Sequence, residues 1–125
     1  MNFLLVGLGG ALGAMARYGL SAWFQRRAGD SFPWGTFVVN LVGCLAIGAV
    51  LYGVEERAWL GPQARLFAAA GVIGGFTTFS AFGFETLQLV QGGRWGWACA
   101  YAAGSVGLGL ASVWMGRALM RLVVA

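Results

Sequence analysis

Apolar residues run through this chain in four long blocks, at about residues 3–24, 34–54, 66–90 and 95–114. Each is close to the ~20 residues that a helix needs to cross a bilayer. The interruptions are short and polar. Gln25 to Pro33 carries Arg26, Arg27 and Asp30; Glu55 to Arg65 contains the Gly61-Pro62 breaker; Gln91 to Arg94 is a glycine-containing turn. The first block lacks a basic start and runs on past Leu20, which reads as a retained span rather than a cleaved signal. The pattern predicts an all-α membrane protein with four transmembrane helices per chain, forming one multi-pass domain over residues 1–125.

The third block departs from a plain span. Gly74 and Gly75 stand side by side, followed by Phe76, Thr77 and Thr78. Glycine weakens a helix, and threonine hydroxyls can satisfy backbone groups that a helix releases. The expectation is a third helix broken in mid-membrane. Irregular backbone at that depth is tolerated where it is buried in protein or lines a wet cavity. A kinked, glycine-rich packing face is the plainer reading of the same residues.

Composition agrees with the membrane reading and narrows the chemistry. Mean hydropathy is +0.76. Of the 125 residues, 59% are hydrophobic and 10% charged, against about a quarter charged in a soluble domain. The net charge of +4 rests on eight arginines without a lysine, scattered at the ends of apolar runs as anchors, so no nucleic-acid partner is expected. Without histidine, a Ser-His-Asp arrangement or a typical zinc site is out of reach, and no enzyme is expected. Cys44 and Cys99 lie within apolar runs and read as small packing residues.

A few polar side chains fall inside the spans. Arg17, beside Tyr18, is either an interfacial anchor or part of a cationic vestibule. Asn40 either glues helices together or offers its NH₂ donors to a pore. Tyr101, Ser105 and Ser112 share one face of the fourth helix. Glu85 is the one acid within a span, and an intramembrane acid is a functional candidate by default. It could be protonated, hydrogen-bonded or paired with an arginine. Phe76, Phe79 and Phe82 recur every three residues after the glycines. Their positive ring edges could attract a dehydrated anion, while lipid-facing or core packing is the ordinary role of such a stripe. Thr36 and Ser80 add hydroxyl donors to this set.

Charge placement bears on assembly. With four spans, Arg57, Arg65, Arg117 and Arg121 share one side, and Arg26, Arg27 and Arg94 lie on the other, with Arg17 nearby. Orientation follows an arginine and lysine excess on cytoplasmic loops, and here there is almost none. The expectation is insertion in both orientations and an antiparallel, dual-topology homodimer. Carbonyls freed at Gly74 and Thr77, doubled by a two-fold axis, would give four oxygens suited to a structural Na⁺.

Three segments resemble the Fluc (CrcB) family of small bacterial fluoride channels: Gly9-Gly-Ala-Leu-Gly-Ala-Met-Ala-Arg-Tyr18, Gly35-Thr-Phe-Val-Val-Asn-Leu-Val-Gly43, and Gly71-Val-Ile-Gly-Gly-Phe-Thr-Thr-Phe-Ser-Ala-Phe-Gly-Phe-Glu85. The resemblance implies an antiparallel homodimer with two pores in the bacterial inner membrane, embedded in lipid. It also implies a central Na⁺ on the backbone oxygens of Gly74 and Thr77. Asn40, Phe79 and Phe82 would line the fluoride path, with Thr36, Ser80, Tyr101 and Ser105 as donors and Arg17 near a vestibule. The implied activity is passive export of fluoride. Ala81 stands where the family often has threonine, which removes one hydroxyl beside Phe82. The alternative is a small proton-coupled multidrug antiporter working through Glu85. Its carboxylate would then lie in the third span rather than the first, and the twin-glycine, twin-threonine stretch would have no role.

Overall fold

Turn chemistry sets the helix ends in the computed structural model, which describes Met1–Ala125. Helix α1 (Asn2–Ala28) closes at Gly29, whose φ of 88° suits glycine. Pro33 precedes α2 (Trp34–Arg57), which ends on a left-handed Ala58. Pro62 opens α3 (residues 62–76), where its missing N–H costs nothing. Three abutting pieces make up α3: Pro62–Arg65, Leu66–Ile73 and Gly74–Phe76. Helix α4 (Phe79–Gln91) and helix α5 (Trp95–Val124) complete the chain, joined through Gly93 at φ 73°.

Four helices are long and apolar enough to cross a membrane: Asn2–Ala28, Trp34–Arg57, Pro62–Gln91 and Trp95–Val124. The first and last outrun the apolar blocks at their C-terminal ends. Arginines continue these helices because the aliphatic stem packs along apolar surface while the charged head reaches outward. At one end Arg117 pairs with Glu55, at 3.2 Å, and with Glu56, tying α5 to the end of α2.

The middle piece of α3, Leu66–Ile73, is a π-helix, with backbone bonds reaching one residue further than in an α-helix. It lies against the glycine face of α1. A methyl group added at Gly9 would stand 2.6 Å from the Phe67 carbonyl oxygen, and one at Gly75 would stand 2.6 Å from that of Gly10. At Gly13 it would run into the Val72 carbonyl. The expected small face is thus a backbone-to-backbone contact that no larger residue permits. The second close pair is α2 with α5, where Gly48 faces the Val113 carbonyl and Gly116 that of Leu45.

The buried core is small and sits near the α1–α2 loop: Phe32, Leu89, Ala98 and Tyr101, with Trp34, Phe37 and Phe82 against it. Large apolar side chains such as Phe3, Leu110 and Trp114 face outward, as a surface bathed in lipid requires. Packing at Gly13 yields a direct expectation. Gly13→Ala lowers the thermal unfolding midpoint of the detergent-solubilised protein, by an overpacking cost of about 1–3 kcal/mol. Gly7→Ala, where a methyl meets open space, leaves the midpoint unchanged or raises it.

Candidate functional site

Between α3 and α4 the backbone of Thr77 and Thr78 is extended, with ψ of 156° and 124°. Several of the peptide groups released there find partners from another element or from a nearby hydroxyl. The Thr78 N–H donates to Asn40 Oδ1 at 2.8 Å, and Asn40 Nδ2 donates to the Thr78 carbonyl at 2.9 Å. The Asn40 amide thus serves Thr78 as a neighbouring peptide would. The Gly75 carbonyl accepts from Arg17 Nε at 3.2 Å. Thr78 Oγ1 caps α4 by accepting from the Ala81 N–H, and Thr77 Oγ1 donates back to the Ile73 carbonyl.

Carbonyls just before the new helix lose their helical donors in this arrangement, those of Gly74 and Thr77 among them. In an unbroken helix the Thr78 N–H would serve the Gly74 carbonyl and the Ala81 N–H that of Thr77. Both N–H groups are engaged elsewhere, by Asn40 and by Thr78 Oγ1. Neutral, hard carbonyl oxygens of this kind suit Na⁺ rather than a soft metal.

Two cavities flank the extended pair, and Thr78 lines both. The smaller, about 410 Å³, gathers six of the residues singled out in the sequence: Asn40, Gly74, Thr77, Phe79, Phe82 and Ser105. Phe79 is 83% exposed and stacks obliquely on Phe82, with centroids 5.5 Å apart. Ser105 is among the residues lining this cavity, and its buried hydroxyl oxygen has no protein partner. The larger cavity, about 580 Å³, is lined by Arg17, Thr36 and Glu85. Arg94 and Asp30 also line it, so two cations and two carboxyl groups share its wall.

Glu85 is hydrogen-bonded rather than paired with an arginine. Its two oxygens accept from Thr36 Oγ1 and from the Tyr101 hydroxyl, each at 2.7 Å. Tyr101 is fully buried, packed on Phe82 at 5.0 Å between centroids. Ser80 stands apart: it is exposed, its hydroxyl lies 3.3 Å from that of Thr78, and it lines neither cavity. Ser112, grouped with Tyr101 and Ser105 by spacing, donates to the Leu108 carbonyl of its own helix.

Sequence reasoning passed over Ser21, Gln25 and Gln88, which also line the larger cavity. The signal was available. Arg17, Ser21 and Gln25 repeat every four residues, and Gln88 follows Glu85 by three, so each set shares a helix face.

Taken together, the fold and site are those of a small four-helix membrane protein with an interrupted polar centre. The CrcB family profile, described as CrcB-like protein, Camphor Resistance (CrcB), matches residues 4–117, and the chain belongs to that family. A protein of Nitratidesulfovibrio vulgaris named fluoride-specific ion channel FluC is 50% identical over 122 residues, covering 98% of both chains. One of the same name from Thermus thermophilus is 53% identical over 118 residues, 94% of this chain and 92% of its own. Another, from Acidobacterium capsulatum, is 44% identical over the full length of both.

The pair of hydrogen bonds between Asn40 and Thr78 is open to a stability test. Asn40→Leu leaves the Thr78 N–H and carbonyl unpaired, and each such group costs ~1–3 kcal/mol when buried. The expected outcome in equilibrium unfolding in detergent is a loss well beyond that of Cys44→Ala, one turn along α2, which breaks no hydrogen bond.

Proposed function

We propose that this protein is a fluoride-selective channel through which fluoride leaves the bacterial cell passively across the inner membrane. The observation that carries this reading is the convergence of Asn40, Phe79, Phe82 and Ser105 on one 410 Å³ cavity beside the extended Thr77–Thr78 pair. Near-full-length relatives named for fluoride supply the ion. Fluoride loses a large hydration energy on leaving water, so a path for it needs donors and positive edges in succession. The Phe79 and Phe82 ring edges and the Ser105 hydroxyl offer these on one side of Thr78. On the other side, Arg17 stands in the larger cavity, and the Thr36 and Tyr101 hydroxyls bond to Glu85. There an arriving anion exchanges places with one carboxylate acceptor instead of meeting bare donors. Ser80, at the exposed start of α4, belongs to this path only where a second chain covers it.

In this reading the third membrane segment is broken at mid-bilayer, at Thr77–Thr78, and two chains pair antiparallel in dual topology. The pairing brings the Gly74 and Thr77 carbonyls of both chains around one structural Na⁺. Support comes from the Gly74 and Thr77 carbonyls, whose helical donors are engaged elsewhere, and from the balance of arginines between the two sides. The antiporter alternative draws nothing from the family match, and Glu85, held by two hydroxyls, is already engaged without a substrate.

Liposomes holding the purified protein are expected to release internal fluoride rapidly and chloride not at all, with no proton gradient imposed. Proton-driven uptake of a lipophilic cation without fluoride release would overturn the channel. Replacing Na⁺ on both sides with N-methyl-D-glucamine is expected to lower both the thermal midpoint and the fluoride flux. An unchanged midpoint would remove the structural cation from the proposal.

A further inference from the structure

Tyr101 owes its place to a loop. Phe32, between α1 and α2, is only 6% exposed although it belongs to no helix. Its ring meets the Tyr101 ring edge-on, with centroids 5.2 Å apart at 78°. Trp34, Phe37 and Trp97 surround it at 4.6, 5.5 and 5.6 Å. Phe82 bears on Tyr101 as well, from α4. Tyrosine has only two side-chain torsions, so rings on both contacts leave its hydroxyl little choice of direction. That direction is toward Glu85 Oε2.

The loop is itself fastened. Gln25 Nε2 donates to the carbonyls of Gly29, at 2.6 Å, and Phe32, at 3.0 Å, while its Oε1 accepts from the Gly35 N–H at 3.1 Å. Arg94, from the turn before α5, donates to the Ser31 carbonyl. One glutamine thus closes the loop from within, and one arginine ties it to α5. The same loop walls the larger cavity through Asp30, Phe32 and Pro33.

We infer that Phe32 is a positioning residue. Locked in place by Gln25, it holds the Tyr101 hydroxyl on Glu85 and so links the shape of the cavity mouth to the carboxyl group deeper in. For its effect on transport this rests on the channel reading; the coupling itself does not.

The test uses the full-length protein in liposomes, as wild type and as three variants: Phe32→Leu, Tyr101→Phe and the double substitution. Phe32→Leu is expected to slow fluoride efflux about three- to tenfold, and to add less than about twofold once Tyr101→Phe has removed the hydroxyl. In parallel, infrared difference spectra against Glu85→Gln isolate the Glu85 carboxyl band. Phe32→Leu is expected to move that band toward its position in Tyr101→Phe. Equal slowing in both backgrounds, or an unmoved band, overturns the proposal. Gln25→Ala loosens the same loop without emptying the core and is expected to shift the band the same way. Should Phe32→Leu not fold, an unmoved band in Gln25→Ala overturns the proposal in its place. A wild-type protein that passes no fluoride defeats the channel reading, while the band shifts still report on Phe32.

Discussion

The rest of the site depends on one side chain acting as a peptide bond. Lipid offers no hydrogen-bond partners, so an extended pair of residues inside a membrane helix is stable only if something in the protein supplies them. Asn40 does so for both backbone groups of Thr78. With that pairing in place the chain can leave the helix at Thr77 and resume it at Phe79. The consequences are local and several: carbonyls without helical donors, a new helix start capped by Thr78, and a cavity on either side. Asparagine suits this role because its amide carries both a donor and an acceptor in the geometry of a peptide. Its aspartate or leucine counterparts would satisfy half of the requirement or none.

Around that centre the polar groups divide their work. Arg17 gives its Nε to the Gly75 carbonyl, so a cation that lines the larger cavity also steadies the backbone beside it. Thr36 and Tyr101 are donors aimed at one carboxyl group, which keeps them oriented and spares an intramembrane acid from lacking partners. Ser105 is the exception. Its buried hydroxyl oxygen has no protein partner, an arrangement native proteins rarely keep without a use.

Much of this was legible in the sequence because membranes leave few options. Four apolar blocks and their breakers gave the helices. The glycines at 9 and 13 announced a close helix contact, and Asn40, Glu85 and Arg17 stood out as polar residues where lipid tolerates few. Less legible were features set by tertiary contact. Nothing in Leu66–Ile73 marks a π-helix, since that geometry follows from packing against α1. The partner of Glu85 could not be chosen among arginine, proton and hydroxyl, because Thr36 and Tyr101 lie far from it along the chain. Phe32 lies in the interruption between the first two apolar blocks, where no periodicity marks a residue for burial. Its burial depends on Gln25 and Arg94 folding the loop inward, and spacing does not reveal such long-range bonds.

The origin of the partners also says something about how the protein is made. Arg17 and Asn40, which satisfy the backbone at Gly75 and Thr78, come from the first two helices. A chain synthesised from its N-terminus has both within reach before the third segment emerges. That segment, whose extended pair relies on partners from other helices, is therefore delivered to waiting partners. Tyr101 and the rest of α5 arrive last and close over Glu85. A circular permutation that placed α3 ahead of α1 would keep every contact of the finished protein yet expose its most demanding backbone to bare lipid during biogenesis.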